Sequence, residues 1–390
     1  MHADELAAHL ADLDAELADS LLGSAAEREV SVTRMERARS AVSRDLVAVA
    51  SVARPAGADR EPIVRVVDEL GRYFELAARA RALQGAGDGD AMLQAVHEAT
   101  QRMHDGVLPA VAAIDGGDRA AMDAQYDDSL RSSRLYEAEA LSCGALIAGI
   151  LLSAQVFVAR RMRRRLVPGL LVATALTALF TGYLVNRFHV ARENLRVARD
   201  DAFNSMHVLW RATVIAYDLR GDEGRWLLDP ARAGEYEAAY RSKLSQLWSR
   251  PASMRVDYDQ IRRGQVTGLL VDEARNVTFE GEAGAAKATI AALGDFVAVD
   301  DAVRQLDRQG RHRAAVEKCA GQDADGSRAT FDRLDEALGR TIEINRRAFD
   351  AAVVDSDRAL RRAEWLDPAL ALALAWLAWL GVRPRLREYA

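Results

Sequence analysis

Lysine is nearly missing from this chain, appearing only at 243, 287 and 318, and the basic charge is carried by arginine. That imbalance fits a GC-rich genome and carries no functional weight. There are two cysteines, Cys143 in an apolar run and Cys319 in a polar region, so neither a disulfide nor a metal-binding spacing is predicted. Aromatic residues make up 6%, and strand-like alternation is confined to Asn276–Glu280, whose neighbours favour helix. A net charge of −6 gives no basis for non-specific nucleic-acid binding.

Catalytic patterns are absent as well. The sequence holds no G-x-S-x-G and no H-E-x-x-H, and neither cysteine lies beside a histidine. Gly85–Asp90 (GAGDGD) lacks the Lys-Ser/Thr ending of a phosphate loop and a preceding strand. Asp323–Gly326 lacks the carboxylate spacing and closing glutamate of a calcium loop, and reads as a helix-linking turn with Ser327 as N-cap. His97 and His104 are seven apart, not the four of a helical zinc pair. No catalytic residue, metal or cofactor is therefore predicted, and the many carboxylates are expected on solvated helix faces.

Alanine, leucine, arginine and acidic residues dominate, a mixture that favours helix. Two runs without a charge, Ala140–Ala159 and Leu166–Val185, have the ~20 residues a helix needs to cross hydrocarbon. A third, Leu366–Val382, begins with Asp367, and Trp365, Trp376 and Trp379 suit the membrane interface. Between the first two stands a hexapeptide with five arginines, Arg160, Arg161, Arg163, Arg164 and Arg165; after the third come Arg383, Arg385 and Arg387. Short arginine-rich loops stay in the cytoplasm.

These signals predict an all-α integral membrane protein with three transmembrane helices and two extracytoplasmic bundles of four-helix type. Its segments are an outer bundle (1–139), a span (140–159), a cytoplasmic arginine loop (160–165), a span (166–186), a second outer bundle (187–365), a span (366–382) and a cytoplasmic tail (383–390). Residues 1–22 carry neither a basic start nor an apolar core of leader type, so a further span preceding residue 1 is expected.

Within the first bundle, Met35, Val42 and Val49 recur at seven-residue spacing, and Ile63, Val67, Leu70, Phe74 and Ala77 form a stripe. Gly85–Gly89 and Asp115–Asp118 are expected to turn, with Asp118 as an N-cap. Within the second, Phe203, Met206, Trp210, Val214 and Tyr217 share a face, and a long helix from Ser327 carries Phe331, Leu334, Leu338, Thr341, Asn345, Ala348 and Ala352. Asn345 either fixes helix register or contacts a ligand. Trp210, Arg211, Tyr217, Arg225 and Trp226 combine residue types enriched in binding hot spots; core filling and ion pairing are the alternative.

Tethered helical bundles of this kind resemble the sensor domains of bacterial chemoreceptors and sensor kinases. Three stretches narrow the resemblance: Leu209–Asp218 (LWRATVIAYD) with Arg225–Pro230 (RWLLDP), Phe331–Val353 (FDRLDEALGRTIEINRRAFDAAV), and the terminal Arg383–Ala390 (RPRLREYA). They resemble an actinobacterial family of tandem-bundle membrane proteins (GlnX-like). The resemblance implies a non-catalytic sensor that works with an extracytoplasmic amino-acid-binding lipoprotein and a soluble cytoplasmic Ser/Thr kinase. It carries over no binding residue. A homodimer is compatible with it, and the arginine clusters would meet either the kinase or lipid headgroups. The competing readings are a structural envelope protein without signalling and, less well supported, a transport component.

Overall fold

The computed structural model describes residues 2–52, 60–162, 168–249, 266–321 and 323–386. Side chains are described throughout these except at 161–162, and beyond 359 only at 372, 373, 376 and 379. Among the described residues the chain is helical. The helices are α1 (His2–Asp19), α2 (Ala25–Val52), α3 (Arg60–Ala86), α4 (Gly89–Arg102), α5 (Leu108–Met162), α6 (Pro168–Arg196), α7 (Asn204–Leu228), α8 (Ala233–Leu247), α9 (Leu269–Arg275), α10 (Glu282–Arg308), α11 (His312–Ala320) and α12 (Ser327–Leu386). A bridge between Ser249 and Thr267 is the sole β pairing described, and Asn276–Phe279 is not a strand.

Local sequence sets several helix boundaries. Ser24 and Glu27 form a reciprocal capping box: the Glu27 carboxylate accepts the Ser24 N–H at 2.6 Å, and the Ser24 hydroxyl accepts the Glu27 N–H at 3.4 Å. Gly87, at φ 77°, turns the chain as expected, and Asp88 then caps α4 by accepting the Ala91 N–H at 3.2 Å. The expected turn at Asp115–Asp118 does not form. Helix α5 runs through it, anchored by buried Val111 and Ile114 and by an Asp115–Arg119 pair one turn apart at 3.5 Å. Asp118 is consequently not an N-cap.

Two compact units result. The first comprises residues 1–120 and 203–347, so helices that the sequence assigns to separate bundles share one unit. Helix α1 is the reason. Thirteen of its residues are buried, and it packs on both α2 and α7. Leu6, Leu10, Leu13 and Leu17 join a core with Met35, Val42 and Val49 of α2, Leu70 and Tyr73 of α3, and Val96 and Met103. Ala11 reaches a second core with Leu209 and Tyr217 of α7, Phe296 of α10, and Phe331, Leu334 and Leu338 of α12. The heptad stripe of α2 is buried as its spacing predicts. The α3 stripe also faces the core, with Leu70 and Ala77 buried and Ile63 and Phe74 packed against it; Val67, 51% exposed, is the exception, and Val66, Tyr73 and Ala80 complete the buried face.

The second unit comprises residues 121–202 and 348–390. In it α5 and α6 run antiparallel. Arg199 meets Asp123 at 2.7 Å, Arg192 meets Glu137 at 2.5 Å, Tyr136 stacks on Phe188, Gly144 faces Thr181, and Leu151 packs with Leu170 and Ala173. The helical stretches Gly89–Arg160 and Pro168–Leu228 each contain a segment long and apolar enough to cross a membrane. Leu146, Ile150, Phe157 and Leu179 project outward from them, each at least 60% exposed. The expected third span, 366–382, is helical, with Trp376 and Trp379 exposed; its other side chains fall largely outside the described residues.

Candidate functional site

The expectation that carboxylates occupy solvated faces fails at α1. Asp12, Glu16 and Asp19 recur at i, i+4 and i+7 and share one face; Asp14 points elsewhere, between the leucines. Asp14, Glu16 and Asp19 are buried. Burying a charge costs several kcal/mol unless a partner and hydrogen bonds offset it, and the partners come from 200 and more residues away.

Arg220 of α7 bonds Asp12 at 3.2 Å, Glu16 at 2.7 Å and Asp19 at 3.0 Å. Its guanidinium also lies 5.2 Å from the Phe331 ring centroid, and Phe331 in turn packs on Tyr217 at 5.0 Å. Arg328 of α12 donates to Asp19 at 2.6 Å and to Glu16. On the other face of α1, fully buried Arg225 donates to Asp14 at 2.8 Å and to Asp222 at 2.9 Å. Lys243 of α8 reaches Asp222 at 2.7 Å, and His104 lies 3.4 Å from Asp218. These planar forks clamp α1 to α7 and α12 in one register.

The electrostatics follow from this packing. Burial pushes the Asp12 carboxyl up to about 6 against the pull of Arg220. Burial works against ionised Glu16 too, yet Arg220 and Arg328 outweigh it and hold that carboxyl below its usual range. Asp222 is likewise held low by Arg225 and Lys243 despite its burial. A neighbouring cluster behaves oppositely. Glu223 is fully enclosed, its carboxylate accepts the Ser327 hydroxyl at 2.5 Å, and burial with the nearby Asp300 charge raises it to about 8. Ser327 is therefore engaged by Glu223 at the start of α12. Arg304 pairs with Asp300 at 2.8 Å and lies between the Trp226 and Tyr240 rings, 4.8 and 4.6 Å from their centroids.

The five residues singled out from sequence scatter. Arg225 is at the heart of the ion-pair network, Trp226 stacks on Arg304, and Tyr217 packs on Phe331; Trp210 is half-buried against the second core, and Arg211 is exposed. Filling and pairing account for four of the five, and Arg211 faces solvent. Asn345 is wholly buried, donating to Glu282 at 2.8 Å and to the Thr341 carbonyl at 3.1 Å. Glu282 also accepts the N–H groups of Thr278 and Phe279, so Asn345 fixes α12 against the turn entering α10. Of the arginine clusters, Arg160 is exposed; Arg163, Arg164, Arg165 and Arg387, and the side chains of Arg161, Arg383 and Arg385, lie outside the described residues.

Sequence reasoning missed Asp12, Asp14, Glu16, Asp19, Arg220 and Arg328. One signal was available: a leucine-rich helix whose acids occupy every remaining face has no side left for solvent once two neighbours flank it.

Residues 1–127 match the family model of an actinobacterial sensor domain. No curated protein and no solved structure matches the chain. The matched third holds α1 to α4 and the start of α5, including every α1 carboxylate; Arg220, Arg225 and Arg328 lie beyond it.

Proposed function

We propose that the chain is a non-catalytic membrane sensor that relays an extracytoplasmic solute or binding-protein signal to a cytoplasmic partner. The observation that carries this reading is the sensor-domain match over residues 1–127 on a chain with two helices fit to cross a membrane. Helix α5 contributes Ala110, Val111 and Ile114 to the first unit's core and includes the apolar run 140–159, so one continuous helix runs from the first unit into the second. A ligand binds the ion-paired helices in one of two packings and biases that equilibrium; such shifts of a turn or less travel along continuous helices.

In this reading both large regions face outward and the arginine hexapeptide inward, with three spans crossed. A solute-binding lipoprotein outside and a Ser/Thr kinase inside are the proposed partners. Arg160–Arg165 and Arg383–Arg387 meet that kinase or anionic lipid headgroups, and a homodimer is compatible with the bundle. The alternative is an envelope spacer without signalling.

Two measurements on intact cells decide. Cysteines introduced at Arg163 and Arg385 should resist a membrane-impermeant maleimide that labels one introduced at exposed Arg211. Ser/Thr phosphorylation of cytoplasmic proteins should change on addition of the inducing solute in wild-type cells and not in a deletion strain. Identical phosphorylation in both strains supports the spacer; labelling of Arg163→Cys from outside overturns the topology.

A further inference from the structure

The first unit contains a cleft of about 470 Å³ bounded by α1, α2, α7 and α12. Its inner side is the network just described: Arg220 and Arg328 held by Glu16, Asp12 and Asp19. Its outer side is α2, which contributes Arg34, Arg37 and Arg44 over a floor of Ala38 and Ala41. The small floor residues leave room above them. Tyr217 and Phe331 close one end with aromatic surface.

The charges of α2 divide in a telling way. Arg39 is paired with Glu36, Arg28 donates to the Gly23 carbonyl, and Asp45 pairs with His9. Arg34, Arg37 and Arg44, the three that face the cleft, have no ion-pair partner among the described residues. Three carboxylates also line the cleft: Asp12 and Glu16, which Arg220 and Arg328 engage, and the more exposed Asp332, 3.8 Å from Arg328 Nε. Arg34 is half-buried, and its guanidinium is held below its usual range by that burial and by repulsion from Arg328, partly offset by Asp332 and Glu16; arginines outnumber carboxylates in the lining, Arg34, Arg37, Arg44, Arg220 and Arg328 against Asp12, Glu16 and Asp332.

We infer that this cleft is a binding site for a compact organic or inorganic oxyanion, a carboxylate or phosphate group, gripped by Arg34, Arg37 and Arg44 against the wall formed by Arg220 and Arg328. Guanidinium forks match such planar or tetrahedral oxygens bidentately. The volume admits a small solute and excludes a folded chain. An anion there ties α2 to α7 and α12 through one ligand, so occupancy favours the packing in which these helices are close. The inference deepens the sensor reading by giving the sensing unit a ligand class.

The test is isothermal titration of the full chain in phosphatidylcholine nanodiscs with inorganic phosphate in one arm and succinate in another, at constant chloride. Saturable 1:1 binding is expected in at least one arm, and the arm identifies the group. The double variant Arg34→Gln/Arg37→Gln should bind at least about tenfold more weakly, the loss of a strong charge-assisted contact. Arg39→Gln, on the same helix but paired away from the cleft, should bind as the wild type does. Because Arg37 is exposed and Arg34 half-exposed, circular dichroism should show both variants folded. No saturable binding in either arm, or equal affinity in the double variant, overturns the inference and leaves the sensor reading standing. Binding without any change in cellular phosphorylation overturns the sensor reading and leaves the site standing.

Discussion

A single arginine shows what the buried charges do. Arg225 is enclosed, and its two ion pairs reach carboxylates that are themselves enclosed, Asp14 and Asp222. Truncating one partner of such a set leaves the others charged and unpaired, which costs about 3–5 kcal/mol. Arg225→Met should lower the unfolding free energy by that amount, and adding Asp14→Asn should recover part of it, because the uncompensated charge goes with it. Denaturant titration of the solubilised chain measures both, and simple additivity of the two changes would contradict the described pairing. Glu223 carries the opposite lesson. Its carboxyl is raised to about 8, Glu273 to about 7 and Asp12 to about 6, each by burial first. A carboxyl raised on folding binds its proton more tightly in the native state. The stability it contributes is complete below the unfolded carboxylate range and is lost as pH rises through the folded value. Asp222 and Glu16, held low, lose their contribution only in acid below that range. The unfolding free energy should therefore fall from pH 5.5 to pH 8.5, by up to about 1.4 kcal/mol per pH unit for each proton released, and the thermal midpoint with it. Glu223→Gln should flatten that slope; an unchanged slope would remove Glu223 from the account.

Elements were legible to different degrees. The seven-residue recurrence of Met35, Val42 and Val49 states which face of α2 is buried, because adjacent helices read that period directly. The stripe on α3 holds at Ile63, Leu70, Phe74 and Ala77 and fails at Val67, since Val66 and Val67 are equally apolar and only the neighbour's position chooses between them. The glycines at 116 and 117 suggested a turn that the helix overrides through Ile114 and the Asp115–Arg119 pair. For the α5–α6 pair the informative residue is Gly144, where a Cβ would lie 2.2 Å from the Thr181 hydroxyl and 2.8 Å from its methyl. Small residues at such crossings let backbones approach closely in hydrocarbon, where packing replaces the hydrophobic drive. Gly144→Leu should therefore force the helices apart at a cost of about 1–3 kcal/mol. In a Cys143→Ser background, oxidation of Leu151→Cys with Ala173→Cys should join α5 and α6 efficiently and do so poorly once Gly144→Leu is added. Equal crosslinking would mean that the crossing tolerates a large side chain and that the helices are not held there.

At the scale of the molecule, the least legible fact is that α1 belongs to partners more than 200 residues away in sequence. Periodicity shows that a face is buried and says nothing of what buries it, so an acidic leucine helix next to α2 reads as part of a local bundle. Long-range ion pairs such as Asp19–Arg220 and Asp19–Arg328 have no signature in spacing. This has a consequence for the segment that matches the sensor domain. Expressed alone, residues 1–127 retain one core, with Leu10, Leu13 and Leu17 against α2 to α4. They lose Arg220, Arg225 and Arg328, and so expose or strand Asp12, Asp14, Glu16 and Asp19. They lose too the α7 surface on which α1 packs. Helical content should survive, because α3 keeps α4 and α1 keeps α2, but α1 should be held far less firmly. Amide exchange across residues 2–19 should be fast in the fragment and slow in the full chain. Adding a peptide that spans residues 203–347 should restore slow exchange, and doing so with Arg220→Ala and Arg328→Ala in that peptide should fail. If α1 is protected in the isolated fragment, the acids find their partners locally and the joining of the two sequence regions through α1 is not what holds this unit together.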